Sequence, residues 1–460
     1  MEQFKSFITE AKDEKYRVLV ISTEKGEKAI TAKRMKEEAD KLGYPIYVAG
    51  MDGTYTKFEN NVRTVHTTDD DKGFEIHVEN TVVFVRGTPE RDSWLDLISQ
   101  LEKAGYCVVN SRECIELAGD KYRTYLRLQD FGLTQPKTVL VPNEDGIETA
   151  FKNLDTKFPI IMKTLRGSRG VGVLFIESER GLNSLVQLLF KQDSQADILI
   201  QEYKKTKFDI RVLVLGGKII ATMQRDVLEG DFRSNYSQGA KVKTYDLSEL
   251  EIEQCLLAAK AIGGMFTAVD FIPSENTKKN PPYILEVNSS PGTEGIEEAN
   301  KKNIVKEVIK YFDNPDLRYT VPTECGFLEI LNVEPVGPII SKFDTGNSSL
   351  PVIHGDDIEL KGKMVHWTLL GKRLKKPLVK TIKVNLGGLR DYSEERYTVK
   401  LDIEFAGTIY ENIEFTIDDR KNRTRILLNL GVLRRMNVIV NPQRKYLITT
   451  KVSLDKSTET

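Results

Sequence analysis

The 460-residue chain has little of what builds disulfide frameworks or soft-metal sites. Its four cysteines, Cys107, Cys114, Cys255 and Cys325, are scattered and form no C-x-x-C pair. That argues against a disulfide scaffold and points to a reduced, cytoplasmic compartment. The four histidines, His66, His77, His354 and His366, are equally dispersed, and no H-E-x-x-H occurs. A metal site here would then use oxygen ligands, which favours magnesium over zinc. Charge of either sign is not in excess: the formal net charge is -1, so no basic field points to nucleic acid or to an anionic membrane. No apolar run is long enough to span a bilayer, and no signal-peptide h-region is present. No G-x-G-x-x-G follows the first apolar run and no G-K-[ST] closes a glycine loop, so a dinucleotide fingerprint and a Walker A loop are both missing.

What is present suits a soluble globular protein, with 40% hydrophobic and 29% charged residues and length enough for roughly three domains. In residues 1–115, strand-like runs ("YRVLVIS", "YPIYVAG", "NTVVFVRG", "YCVVN") alternate with helical spacing over Lys25–Leu42 and "SWLDLISQLEKAG". Such alternation predicts an open, mostly parallel α/β sheet. Residues 116–315 carry longer elements and read as an α+β domain. "FDNPDLRYTVPTE" (Phe312–Glu324) breaks periodicity as a linker does. From 325 to 455, short strands separated by turns predict an all-β domain, a small barrel.

Four clusters in the central segment carry chemistry. "PIIMK" closes a strand on Lys163 and runs into "TLRGSRGVG", where Gly167, Gly170 and Gly172 punctuate a basic loop that also holds Ser168. Backbone N–H groups of such a loop can cradle phosphate, although an ordinary hairpin turn fits the loop as well. "ILIQEYKKTKFDIRVLV" sets Glu202 and Tyr203 at a strand end and Asp209 and Arg211 on the next strand. "MQRDVLEGDFRSNYSQGA" offers Arg225, Arg233, Ser234 and Asn235. In "TAVDFIP", Asp270 stands alone in an apolar run, which is costly unless the carboxylate is salt-bridged or bound to a cation. The fourth cluster meets "YILEVNSSPG", whose Glu286 and Asn288 project from one face of a strand. Alone, that pair fits a half-buried strand with a polar outer face. Beside Asp270 it makes a set of three oxygen ligands suited to magnesium between carboxylates and nucleotide phosphates.

In order over residues 120–312, "QEY…DIRVLV", "EGDFRSN…GA", "AVDF" and "LEVNSSPGTEGIE" resemble the ATP-grasp carboxylate–amine ligases. The similarity is greatest to the RimK type, which adds glutamate to a ribosomal protein's C-terminus. The resemblance implies an ATP-grasp domain at 116–315 with a lid subdomain at about 125–200, preceded by the domain usual in these ligases. It implies ATP and two magnesium ions, with manganese able to substitute. Lys121 and Lys163 would contact phosphates under the glycine loop. Glu202 and Tyr203 would lie at the adenine hinge, Asp209 would bind the nucleotide, and Arg233, Ser234 and Asn235 would line the meeting point with the acceptor. Asp270, Glu286 and Asn288 would hold the metals, with Glu286 bridging. Arg211 and Arg225 would serve a carboxylate or its acyl phosphate. The partners implied are an amino-acid donor and a peptide or protein acceptor, with a small peptide or metabolite, or a silent nucleotide-binding scaffold, as the rival readings.

"IISKFDTGNSSL" places Asp344-Thr345-Gly346 after an apolar strand. With "RILLNLGVLRRMNVIVNP" further on, the region resembles the retropepsin-like domains, named as ATP-dependent zinc proteases, that accompany RimK-type ligases. Asp344 would then meet its own copy in a homo-oligomer, a dimer or tetramer, as a proton-sharing dyad. The chain departs from that pattern at Asn429-Leu430, where the family has Gly-Arg, and at the "NSS" after Gly346. Its histidines and cysteines are too sparse to support a zinc site, and a non-catalytic barrel, structural or recruiting a substrate, fits the region as well.

Overall fold

Two runs of the chain, Val18–Ile21 and Thr81–Arg86, are buried at every position, the burial expected of strands covered on both faces. They belong to β1 (Arg17–Ser22) and β6 (Thr81–Arg86), the centre of a parallel sheet in the order β2-β1-β6-β7. In this computed structural model the described residues are 15–23, 29–59, 62–68, 70–89, 91–165, 172–193, 196–227, 241–385 and 393–450. Contacts divide the chain into two units, Met1–Thr320 and Val321–Thr460.

In the first unit, α1 (Ile30–Leu42) joins β1 to β2 (Ile46–Gly50), and α2 (Asp92–Lys103) joins β6 to β7 (Cys107–Val109). The helix expected over Lys25–Leu42 is described from Ile30. Between β2 and β6 the chain makes a separate antiparallel sheet of β3 (Tyr55–Glu59), β4 (Val62–Thr67) and β5 (Asp70–Ile76). Sequence reading did not find it because β3 is mostly exposed and carries no apolar alternation to detect.

Past α3 (Arg112–Gly119) and α4 (Lys121–Asp130), β8 (Thr138–Val141), α5 (Ile147–Leu154), β9 (Ile160–Thr164), β10 (Val173–Ile176), α6 (Glu179–Gln192) and β11 (Ile198–Glu202) follow. They form an antiparallel sheet ordered β10-β9-β11-β8 over its own core. Next come β12 (Phe208–Leu215), β13 (Lys218–Asp226), β14 (Val242–Lys243), α7 (Glu249–Ala261), β15 (Phe266–Ile272) and β16 (Tyr283–Asn288), then α8 (Glu294–Asn300) and α9 (Ile304–Tyr311). These five strands form a third antiparallel sheet, β14-β13-β12-β15-β16.

One face of that sheet is largely apolar: Ile210, Val212, Val214, Val269, Phe271 and Val287 pack on Cys255 and Ala258 of α7. The other face is divided. At one end Leu213, Leu215, Met223 and Ala268 pack on Ile296 of α8 and Val305 and Val308 of α9. At the other end the same alternation presents Asp209, Arg211, Arg225, Asp270, Glu286 and Asn288. The site is thus the polar half of a core-forming surface.

The second unit is all-β, as expected. It runs β17 (Thr323–Gly326), β18 (Leu328–Val333), β19 (Gly337–Phe343), β20 (Val352–His354), β21 (Asp356–Lys361), β22 (Met364–Leu369), β23 (Lys372–Pro377), β24 (Thr381–Asn385), β25 (Ser393–Phe405) and β26 (Thr408–Asp418). β27 (Ile426–Leu428), α10 (Leu430–Arg435) and β28 (Val438–Asn441) complete it. Seven strands lie in the order β18-β19-β27-β20-β26-β25-β24, and β18 also pairs with β25, so the sheet closes as a barrel. Phe343, Trp367, Phe415 and Leu428 fill its core. Glu329 is fully buried there, accepting hydrogen bonds from the N–H groups of Gly326 (2.7 Å), Leu447 (2.9 Å) and Thr449 (3.0 Å). Such donors replace the water a buried carboxylate loses. Among the described residues no helix is long and apolar enough to cross a membrane.

Candidate active site

Register assembles the first part of the site. Asp209 lies opposite Arg225 on β13, Arg211 opposite Asp270 on β15, and Asp270 opposite Glu286 on β16. The Arg211 guanidinium donates Nε to Asp270 Oδ1 (2.8 Å) and NH2 to Oδ2 (2.6 Å). Arg225 grips Asp209 in the same two-pronged way (2.7 and 2.8 Å) and places NH2 3.0 Å from Asp270 Oδ2. Two carboxylates and two guanidiniums therefore alternate in a chain across three strands, and Asp209, Arg225 and Asp270 are buried. Burial acts to raise the Asp270 pKa, but the Arg211 and Arg225 charges override it and hold the carboxyl well below the usual range. Burial likewise opposes the charge on Arg225, and the two aspartates outweigh it.

Glu286 and Asn288 are less enclosed, and the Asn288 amide donates to Glu286 Oε1 (3.2 Å). The sequence-predicted oxygen donors are thus brought together, with Asp270 at once engaged by both arginines. The arginines expected to face a substrate differ in setting: Arg211 remains partly exposed, whereas Arg225 is 4% exposed and enclosed between two aspartates. Asp209, expected at the nucleotide, is 8% exposed and turned onto Arg225.

The smaller sheet supplies the opposing charge. Lys163, at the end of β9, is pushed down to about 8 by burial, with Glu286 acting against the shift and Lys121 adding to it. Lys121, at the start of α4, donates to the carbonyls of Thr164 (3.1 Å) and Leu165 (3.2 Å), and burial lowers its pKa too. Gly172 enters β10 at φ +83°, and a Cβ there would strike the Thr164 hydroxyl, so the loop's exit requires glycine. Gly167, Ser168, Gly170, Arg233, Ser234 and Asn235 lie outside the described residues. Between the two sheets, Glu202 receives the Lys204 ammonium (2.7 Å), and Tyr203 packs edge-on against Phe175.

A Lys163 pKa near 8 gives a direct expectation if its ammonium meets phosphate. Below pH 8 the free protein holds the proton the contact needs, and above it the proton must be bought back from solvent. ATP affinity measured by calorimetry should fall about tenfold between pH 7.5 and 9. Lys163→Arg should flatten that profile, and a flat profile in the unaltered protein would separate Lys163 from phosphate.

Sequence reading missed the residues that fix the turn after β16. The Asn110 amide donates to the carbonyls of Phe266 and Ser289 (2.6 Å each), and its oxygen accepts from Met265 N (2.7 Å) and Phe266 N (3.0 Å). Arg86 donates to the Pro291 carbonyl (2.6 Å), and Gly87 N to Ser290 Oγ (2.7 Å). A polar residue at the end of the apolar run "YCVVN" was the one available signal.

In the second unit, Asp344 follows β19, with Oδ1 accepting from Gly346 N (3.0 Å) and Oδ2 3.3 Å from the Lys342 ammonium. Asn429, where the resemblance has glycine, caps α10 through Val432 N (3.0 Å) and donates to the Ser349 carbonyl (2.5 Å). His354, Asp356 and Asp419 also converge. There His354 Nδ1 accepts from Arg420 N (2.9 Å), and the Lys421 ammonium, 3.0 Å from Asp356, already supplies the cation.

Comparison with known proteins bears on the first unit. Residues 118–312 match the RimK-like ATP-grasp domain. A probable alpha-L-glutamate ligase of Psychromonas ingrahamii is 31% identical over 299 residues, 65% of this chain and 95% of that protein. Another, of Marinomonas sp., is 37% identical over 219 residues, 47% of this chain and 70% of that one. Among solved structures, a Chryseobacterium gregarium RiPP-associated ATP-grasp ligase in complex with ADP and a leader and core peptide aligns with a TM-score of 0.50 at 16% identity. It covers 66% of this chain and 99% of the other, a likeness of fold.

Proposed function

Given that the chain belongs to the RimK-like ATP-grasp ligases, we propose that it activates a carboxylate with ATP and joins it to an amine, adding amino acids such as glutamate to the end of a peptide or protein. The observation that carries this reading is the row Arg211–Asp270–Glu286, flanked by Asn288 and faced by Lys163. Acids, an amide and cations converge there with no serine, cysteine or histidine among them, a composition that suits phosphoryl transfer, where positioning and charge neutralisation do the chemistry.

The donor set suits magnesium at its accessible end: Glu286 and Asn288 offer oxygens, and Asp270, opposite Glu286, would share with the ion the oxygens that Arg211 and Arg225 now hold. A bound ion there would neutralise phosphate charge. The chain's own groups do the rest. Lys121 and Lys163 bind phosphates, and Arg211, the partly exposed arginine, orients the carboxylate. One carboxylate oxygen takes the γ-phosphoryl group and ADP leaves. The amine nitrogen then attacks the acyl carbon, phosphate departs with the C–O electron pair, and the ammonium proton passes to solvent. Asp209 and Arg225 are positioning residues that hold Asp270 in place.

Incubation with ATP, magnesium, a peptide acceptor and each of the twenty amino acids tests the reading. Phosphate release and product mass should rise together for at least one of them. ATP turnover indifferent to every amino acid would overturn it.

For the second unit we propose a retropepsin-like role, supported by the Asp344 turn, which the backbone braces through Asp344 N to the Leu428 carbonyl (3.4 Å) and Leu430 N to the Asn347 carbonyl (2.9 Å). Two copies would bring their Asp344 side chains together to activate water and trim the extended peptide. Asp344→Asn should abolish cleavage of a labelled, extended peptide while leaving ligation unchanged, and cleavage at the original rate would exclude the dyad.

A further inference from the structure

A second surface of the first unit lies away from these residues. The β12–β13 turn, the exposed side of α9 and the segment after it enclose an open groove of about 720 Å³. Leu215, at this end of β12, is six residues from Asp209, about 20 Å of extended strand.

The groove's charge is one-sided. Lys218, Lys302, Lys306 and Lys310 line it and are all exposed, against one acid, Glu307, which is already paired with Lys302 (2.5 Å). This excess sits in a chain whose net charge is -1. The placement of Lys306 is locally unfavourable as well. Lys306 and Lys310 are four apart on α9, where like charges repel, and Lys306 lies in the first turn, against the helix dipole. The floor is apolar: Ile220 and Tyr311 are half-buried and Leu317 is 37% exposed. A cationic rim over an apolar floor complements a ligand that alternates carboxylates with aliphatic side chains. A phosphodiester backbone would leave the floor without a partner.

We propose that this groove docks an acidic peptide segment, its carboxylates on Lys218, Lys306 and Lys310 and an aliphatic or aromatic side chain on Ile220 and Leu317. It is an anchoring surface separate from the reacting groups, and it stands whether or not the chain ligates glutamate.

The probe is a fluorescent peptide alternating glutamate with leucine, titrated with the full-length protein and read by anisotropy. Binding should weaken as salt rises. The double variant Lys306→Glu, Lys310→Glu should bind about tenfold more weakly, and Leu317→Ser should lose several-fold against the same peptide but little against one alternating glutamate with serine. These residues are exposed, and an unchanged thermal melting midpoint in each variant controls for folding. Equal affinity in the charge-reversed protein would overturn the proposal. So would an oligonucleotide of matched charge competing equally well, which would make the surface a general polyanion site. A change of oligomeric state in the charge-reversed variant would assign the groove to self-association instead.

Discussion

Replacing Glu286 by alanine should cut amino-acid-dependent ATP turnover about a thousandfold or more and leave the fold intact. Glu286 sits opposite Asp270 and bonds Asn288, but it takes no part in the grip of Arg211 and Arg225 on the aspartates. Its truncation therefore leaves that ionic chain closed, and the thermal midpoint should hardly move. The proposed reaction loses more. Charge stabilisation at a transferring phosphoryl group is worth several kcal/mol, and each ~1.4 kcal/mol is a factor of ten. A phosphate-release assay with the best amino-acid substrate reads the effect. Undiminished turnover would remove Glu286 from the chemistry, and with it the proposed role of the Asp270–Glu286–Asn288 set.

Arg225→Met should have the largest effect on stability, about 3–5 kcal/mol, because it removes the guanidinium that two carboxylates share in a buried site. Methionine fills similar space but leaves Asp209 without its two-pronged partner and Asp270 with Arg211 alone. On the order of 10 °C should be lost from the melting midpoint of the unit. The pH dependence separates charge from packing. Asp270 in the unaltered protein has its pKa depressed, so its contribution is present above the ordinary carboxylate pKa and is lost only as pH falls through the lower folded value. In the variant that depression shrinks, so the gap between the two proteins should be wide at pH 7 and narrow below about pH 4. A gap constant with pH would mean that shape alone matters.

The two strands "TAVDFIP" and "YILEVNSSPG" were legible because each carries its information within a few residues: an apolar run, a period of two, a turn at the end. Pairings across the sheet were not. Nothing local to Arg211 says that it meets Asp270, 59 residues on, or that Arg225 bridges Asp209 and Asp270. Those contacts depend on register, which is fixed by the whole sheet. Asn110 escaped for the same reason, since its four hydrogen bonds reach residues more than 150 positions away. In the second unit the succession of short strands announced an all-β fold, while the parallel contact of β19 with β27, which braces the Asp344 turn, joins residues 85 apart.

The pairing of β17 with β28 has a mechanical consequence. The first and last strands of the second unit run parallel and side by side, Thr323 beside Val438 through Gly326 beside Asn441. Tension applied to the two ends of the unit pulls these strands past each other along their length. Their hydrogen bonds, slanted and evenly spaced, are then loaded together in shear, where a peeling force would break them one at a time. Beside this clamp, Glu329 ties Gly326 to Leu447 and Thr449, which follow β28 in the chain. The barrel should resist extension most strongly at its ends, and a pulling enzyme would have to break this seam before it could unravel the strands that carry Asp344.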